Sequence, residues 1–178
     1  LPVYDGELYL ELHRGTLTAK QQIKKNNRMA ENLLRMLELC LTRSAVTART
    51  PADGTALRPL WNTLLVNQFH DILPGSCIAA ANDRSLHDMA EMLHTGSELL
   101  CSWFAPAQNC YTVLNPLDEP CRDVFYLPQI ASGFIAQEPG VTLQNVVLAD
   151  GTAATAVYGL ERPALGAAVL HFVPGEQP

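Results

Sequence analysis

The sequence lacks the features of several protein classes. No stretch reaches the roughly 18 consecutive apolar residues of a transmembrane helix, and no basic-then-apolar signal peptide opens the chain. The five cysteines are odd in number and form no Cys-x-x-Cys pair, so neither a disulfide framework nor a structural zinc site is expected. The net charge of −6 argues against a nucleic-acid binder. We therefore expect a protein with no nucleic-acid or membrane partner.

Two further features of the sequence, its cysteines and its lack of a glycosylation acceptor, bear on the cellular compartment of the protein. Unpaired thiols persist where the surroundings are reducing, and the sequence has no Asn-x-Ser/Thr glycosylation acceptor. Both observations favour a cytoplasmic protein.

The composition is that of a folded chain, with 48% apolar and 17% charged residues among 178. The first residue is Leu1 and the last strand-like run ends close to the end of the sequence, so we expect both ends to be cut from a longer protein. Residues 1–50 carry eight Lys or Arg against five Asp or Glu. Most of this basic excess falls on one predicted helix, which favours a solvated face, with docking onto an acidic neighbouring domain as the alternative.

Apolar residues at helical spacing predict three helices, at about residues 18–42, 57–67 and 78–104. The predicted apolar stripe of the third helix contains Leu86, Ala90, Leu93 and Ser97 as well as Met89. Leucines alternate with polar residues over 7–12, which predicts a strand-like or extended lead-in. Residues 1–106 should therefore form a three-helix bundle.

Short apolar runs between Pro, Gly and Asp turns characterise the rest of the chain. They predict five strands, at residues 111–114, 124–128, 141–148, 153–160 and 167–173. Five strands of uneven spacing rarely close a sheet by themselves, so residues 107–178 should be the first part of an antiparallel β-sandwich. The predicted fold class is α+β.

The segment 67–76, Asn-Gln-Phe-His-Asp-Ile-Leu-Pro-Gly-Ser, holds the main candidate site. His70 and Asp71 precede a Pro-Gly turn, and imidazole and carboxylate groups bind metals and sugar hydroxyls. Taken alone, this pair fits a structural loop histidine better than a metal site, because a metal needs three or four ligands. His13 and Arg14 precede Gly15 and could bind an anion, although an arginine that bridges to a neighbouring domain is the more common arrangement.

The residues do not complete either of two catalytic arrangements. Cys77 follows the same segment and could act as a thiol nucleophile with His70, but no orienting third group is evident. Glycoside hydrolysis by retention needs two carboxylates about 5–5.5 Å apart, and Asp71 has no such partner in a nearby loop. The sequence therefore does not contain a complete hydrolytic pair.

Four segments together resemble glycoside hydrolase family 38, the class II α-mannosidases. Residues 7–18 are similar to the lead into that family's helical middle domain, and 60–76 to its second signature in the bacterial and cytosolic branch. Residues 113–117 and 163–166 look like the first turns of its C-terminal β-sandwich. Their order and spacing agree with the family, so the resemblance covers nearly the whole chain.

The resemblance implies a retaining exo-α-mannosidase with a divalent metal, usually zinc, acting on an α-mannoside or a mannosyl-oligosaccharide. In the family the metal is held by a His and two Asp of an N-terminal α/β domain, one Asp being also the nucleophile, and by one middle-domain His. His70 resembles that middle-domain ligand, and Asp71 resembles the aspartate beside it that binds mannose hydroxyls. His13 and Arg14 match a family motif and receive only a supporting role.

The other metal ligands, the nucleophile and the acid/base carboxylate have no counterpart here. The isolated chain is therefore expected to be inactive. In the longer protein it should pack on the missing α/β domain and the rest of the β-sandwich. The expected location is a bacterial cytoplasm, and a homo-oligomer is one of the expected assembly states. The alternative from another class is a non-catalytic helical-bundle interaction module or carbohydrate-binding module.

Overall fold

The computed structural model describes residues 2–7, 11–49, 53–104 and 108–175, with the side chains of 11 and 12 left out. The chain divides into two compact units, Leu1–Phe104 and Ala105–Pro178. The first is helical and the second is built of strands. None of the helices in these ranges has a segment long and apolar enough to cross a membrane.

Three α-helices form the first unit: α1 (Gln21–Ala48), α2 (Leu57–Asn67) and α3 (Ala79–Ser102). The prediction for α2 matches the observed helix, and α3 is shorter than predicted at each end. Helix α1 continues beyond the predicted end at residue 42, because residues 43–48 contain neither glycine nor proline. It ends where Arg49 adopts φ 53° and its N–H bonds to the carbonyls of Ala45 and Val46.

The residues shortly before α1 are helical and not extended. Glu11–Leu17 form a 3₁₀ helix, so the strand-like prediction for residues 7–12 is wrong at 11 and 12, while 8–10 lie outside the described residues. The hydroxyl of Thr16 donates to the carbonyl of His13 at 2.8 Å, and the amide of Ala19 donates to the carbonyl of Gly15 at 2.7 Å. Such local bonds favour tight turns over an extended chain.

The core of the helical unit lies where the three helices meet. Leu34, Leu37, Leu64 and Met89 are almost fully buried there. The buried row of α3 is Asn82, Ser85, Met89, Met92 and Gly96, which corrects the predicted stripe.

The buried face of α3 contains small residues as well as large ones. Ala90 and Ser97 of the predicted stripe are exposed, and Leu86 and Leu93 are half-buried. At the contact with α1, a Cβ on Gly96 would lie 2.8 Å from Cδ2 of Leu33. Small side chains therefore let these two helices approach closely, and a pattern read from large apolar residues misses that face.

Six strands form the second unit: β1 (Cys110–Asn115), β2 (Phe125–Pro128), β3 (Phe134–Ala136), β4 (Thr142–Val147), β5 (Ala153–Tyr158) and β6 (Gly166–Pro174). They make two three-stranded antiparallel sheets with the orders β1-β6-β3 and β2-β5-β4. Five strands were predicted, and β3 was missed because three residues are too few to show an alternating pattern.

Both sheets contribute to one apolar core. Leu143 and Val157 come from one sheet and Leu170 and Phe172 from the other, with Leu160 between strands. In β6 the exposed His171 lies between buried Leu170 and Phe172, as expected for a strand with one face covered. The predicted α+β fold, a three-helix bundle followed by part of an antiparallel β-sandwich, is confirmed.

Candidate functional site

The His70–Asp71 segment lies in the turns that run from residue 68 to residue 75 between α2 and α3. The amides of Ile72 and Leu73 both donate to the carbonyl of Phe69, at 2.9 and 3.1 Å. The amide of Gly75 donates to the carbonyl of Ile72 at 2.9 Å, and Gly75 has φ +83°. The positive φ is a conformation that glycine adopts without steric cost. We call residues 68–75 the site loop.

His70 and Asp71 project from the site loop into solvent. Their side chains are 77% and 57% exposed, and His70 Nε2 lies 3.6 Å from Asp71 Oδ2. The ring of Phe69 packs against the imidazole with centroids 4.1 Å apart and planes tilted by 41°. The structure thus brings the two predicted residues together and leaves their ligand atoms accessible.

Helix α1 contacts the site loop near both of its ends. At the first end, the side-chain amide of Gln68 donates to Asn27 Oδ1 and to Glu31 Oε1, each at 3.1 Å. At the second end, Lys24 Nζ donates to the carbonyls of Leu73 and Pro74 at 3.1 and 3.3 Å. Sequence reasoning missed these contacts, and its only relevant signal was the basic excess on α1.

His13 and Arg14 lie on the 3₁₀ helix before α1, and both are exposed. The backbone carbonyl of His13 accepts the bond from Thr16. Within the described ranges, no hydrogen bond or ion pair joins the His13 side chain to His70 or Asp71.

Cys77 is half-buried and makes no hydrogen bond with His70 in the described part of the chain. The geometry therefore gives no support to a cysteine hydrolase. Burial raises the pKa of another thiol, Cys40 of α1, while nearby Arg43 partly opposes that shift. Both observations suit small structural cysteines.

A second group of ligand atoms lies on α3, where atoms of His87, Asp88 and Glu91 are all within 4.8 Å of one another. The sequence analysis missed this group, although the i, i+4 spacing of His87 and Glu91 was the available signal. Asp88 is already paired with Arg84, whose Nε lies 2.7 and 2.9 Å from its two oxygens. His87 and Glu91 are exposed, so the cluster is a solvated ion-pair surface.

Comparison with known families and proteins gives the site its context. The sequence matches the α-mannosidase middle-domain family over residues 11–104, which is more than half of the chain. It is 36% identical to α-mannosidase 2C1 of Mus musculus over 134 residues, covering 70% of this chain and 13% of that protein. It is 43% identical to an α-mannosidase of Saccharomyces cerevisiae over 82 residues, covering 44% of this chain and 7% of that protein.

The fold agrees with a solved structure. The crystal structure of an α-mannosidase from Enterococcus faecalis V583 superposes with a TM-score of 0.59 at 12% sequence identity, covering 92% of this chain and 24% of that one. The chain thus spans only a small part of the proteins that it resembles. Because the family match covers more than half of the sequence, the chain belongs to the α-mannosidase middle-domain family.

Proposed function

We propose that this chain is part of a longer retaining, metal-dependent exo-α-mannosidase, in which His70 supplies one ligand of a divalent cation. The observation that carries the proposal is the exposed His70–Asp71 pair, whose ligand atoms lie 3.6 Å apart on a loop joined to α1. The α-mannosidase relatives support an α-mannoside as the substrate class, and we include mannosyl-oligosaccharides in this proposal.

The donor chemistry fits such a cation in part. Zn²⁺ prefers nitrogen and oxygen donors of the imidazole and carboxylate type and takes about four of them. His70 offers an accessible imidazole and Asp71 an accessible carboxylate. When bound, a divalent cation would supply Lewis-acid coordination of two neighbouring sugar hydroxyls. The remaining ligands would come from residues outside this chain.

Asp71 has a separate role in the proposal. Its carboxylate is 57% exposed and lies next to the imidazole, so it can accept hydrogen bonds from hydroxyls of the same sugar. A carboxylate at that place orients the ring and distinguishes epimers by hydroxyl position. His13 and Arg14, on the 3₁₀ helix, receive a supporting role only.

The bond-breaking groups are proposed to lie elsewhere in the longer protein. Retention requires a nucleophile and an acid/base carboxylate about 5–5.5 Å apart, and Asp71 is assigned to neither role. The isolated chain is therefore proposed to be inactive and to bind metal weakly. An α/β catalytic domain and the remainder of the β-sandwich would complete the enzyme, and five free cysteines favour the cytoplasm as its compartment.

The test is the substitution His70→Ala in the full-length protein, measured by aryl α-mannoside hydrolysis and by the amount of bound metal. We expect loss of turnover by at least about 100-fold, since outer partners of a metal alone cost about 10–100-fold, together with less retained metal. His94→Ala is the matched control, because His94 is similarly exposed and, among the residues that the structure describes, pairs with Glu98 on α3 alone. Normal turnover and metal content in His70→Ala would leave the chain as an interaction or carbohydrate-binding module.

A further inference from the structure

We propose that Lys24 is a positioning residue, which holds the site loop so that His70 presents its imidazole to the metal. The inference rests on the proposed role of His70 as a ligand. In the described part of the chain, Lys24 forms no hydrogen bond or ion pair with His70 or Asp71. It acts through main-chain carbonyls, by two hydrogen bonds to the site loop and one to Ala19 before α1.

Lys24 uses all three of its donors on main-chain carbonyls. Its Nζ lies 2.5 Å from the carbonyl oxygen of Ala19, 3.1 Å from that of Leu73 and 3.3 Å from that of Pro74. An ammonium has three N–H groups and no acceptor, so this donor capacity is filled. One half-buried side chain thereby joins the segment before α1 to the end of the site loop.

The opposite end of the loop is held from the same face of α1. Gln68 donates to both Asn27 and Glu31, and Asn27 Nδ2 donates to Glu31 Oε1 at 3.0 Å. Positions 24, 27 and 31 follow the i, i+3, i+7 spacing and therefore share one side of the helix. Since α1 is a rigid element, its two points of attachment determine where the intervening residues lie.

Lys24 attaches the end of the site loop to α1, which the loop's own backbone hydrogen bonds do not do. Between the two attachments, the backbone bonds that close the loop are local ones from Ile72, Leu73 and Gly75. Bonds from a charged donor are about twice as strong as neutral ones. Loss of the two hydrogen bonds from Lys24 would free Leu73 and Pro74, which follow His70 by three and four residues. The ligand would then lose orientation before metal binding, and preorganisation is what a coordinating side chain needs for affinity.

The test compares four single variants of the full-length protein: Lys24→Met, Lys24→Arg, Lys25→Met and His70→Ala. Lys25 is the matched control, because it neighbours Lys24 on α1 and is exposed. The dissociation constant for Zn²⁺ alone is measured by competition with a chromophoric chelator, well below the melting temperature of each metal-free variant. The kcat and KM for an aryl α-mannoside are measured in parallel.

Lys24→Met should weaken Zn²⁺ binding about tenfold, at the lower end of the effect of outer-shell substitutions at metal sites. Lys24→Arg, which keeps a charged donor of several N–H groups, should restore most of that affinity, and Lys25→Met should match the unmodified protein. A purely structural role would lower the melting temperature of the metal-free protein and leave the Zn²⁺ dissociation constant unchanged. If Lys24→Met does not fold, Lys24→Gln is judged by the same criterion.

The outcomes separate this inference from the function on which it rests. If His70→Ala weakens Zn²⁺ binding and Lys24→Met does not, the positioning role is overturned and the ligand role of His70 stands. If His70→Ala binds Zn²⁺ with an unchanged dissociation constant, the ligand role is overturned and the positioning role with it.

Discussion

Gly75 at the end of the site loop lies directly against the side chain of Lys20, the residue before α1. A Cβ added to Gly75 would lie 2.7 Å from Lys20 Cγ and 2.9 Å from Lys20 Cβ. Both residues have positive φ, +83° at Gly75 and +50° at Lys20. The loop can therefore reach α1 only because one of the two residues has no side chain.

The first prediction is that Gly75→Ala destabilises the protein by about 2–4 kcal/mol. A left-handed backbone costs an alanine about 1 kcal/mol or more, and overpacking adds about 1–3 kcal/mol. The Cβ of Lys20 is fixed to the backbone and cannot move aside as the end of a flexible side chain would. Urea unfolding followed by circular dichroism measures the change.

The double variant Lys20→Gly/Gly75→Ala separates the two causes. Lys20→Gly alone should be close to neutral, because glycine suits both a left-handed residue and a helix N-cap. In the double variant the overpacking is removed and the backbone cost of about 1 kcal/mol remains. A double variant as unstable as Gly75→Ala alone would show that Lys20 is not the obstacle.

The second prediction concerns Asn115, which is only 1% exposed and has all of its polar atoms in use. Its Nδ2 donates to the carbonyls of Glu119 at 2.9 Å and Pro163 at 3.0 Å, and its Oδ1 accepts from the amide of Leu117 at 3.0 Å. Asn115→Asp replaces that donor with an anionic oxygen facing carbonyls. At neutral pH we expect a loss of about 3 kcal/mol or more, the upper end for a buried unsatisfied polar group.

The sign of the pH dependence identifies the cause. Burial and the facing carbonyls would raise the pKa of a carboxyl at position 115, because both disfavour the charged form. A carboxyl with a raised pKa in the folded state contributes more stability below its unfolded pKa than above its folded pKa. The deficit of Asn115→Asp relative to Asn115→Ala should therefore shrink as the pH falls. Equal deficits at every pH, measured by urea unfolding, would argue against a buried charge at this position.

Parts of the fold that depend on local pattern were predictable from the sequence. The bounds of α2 follow from the repeat of Leu57, Leu60 and Leu64, which is uninterrupted over its length. The turn of the site loop follows from Pro74-Gly75. Three-residue β3 carries too little pattern, and the buried face of α3 depends on Gly96, which has no hydrophobic signal.

The identity of the two candidate site residues was predictable from the sequence, but the contacts that hold their loop against α1 were not. His70 and Asp71 are adjacent in sequence, so their proximity needed no fold. The attachment by Lys24 joins residues 49 and 50 positions apart, and that of Gln68 joins residues 41 and 37 positions apart. Sequence periodicity reports only on neighbours along an element, so contacts across such distances become visible in the folded chain alone.

The last prediction concerns the other attachment, in which Gln68 Nε2 donates to Glu31 Oε1 at 3.1 Å. Gln68→Glu places two half-buried carboxylates at hydrogen-bond distance, and at an effective dielectric of about 20 like charges 4 Å apart repel by about 4 kcal/mol before relaxation. Because the side chains can rotate towards solvent, we expect a net loss of about 1–2 kcal/mol. We also expect weaker Zn²⁺ binding by the full-length protein, because this end of the loop would move away from α1.

The exchanged pair Gln68→Glu/Glu31→Gln tests that explanation, because it places an amide donor opposite a carboxylate again. Glu31→Gln alone loses an ion pair with Arg28 at 2.8 Å, whose side chain is 76% exposed, and such surface pairs contribute about 0–1 kcal/mol. The exchanged pair should therefore recover most of the stability and Zn²⁺ affinity that Gln68→Glu loses, with a coupling free energy of about 1 kcal/mol in a double-mutant cycle. Salt at 1 M should reduce the deficit of Gln68→Glu, since the screening length is then about 3 Å. A deficit that neither the exchange nor salt reduces would mean that the shape of the Gln68 side chain, and not its hydrogen bond to Glu31, holds the loop to α1.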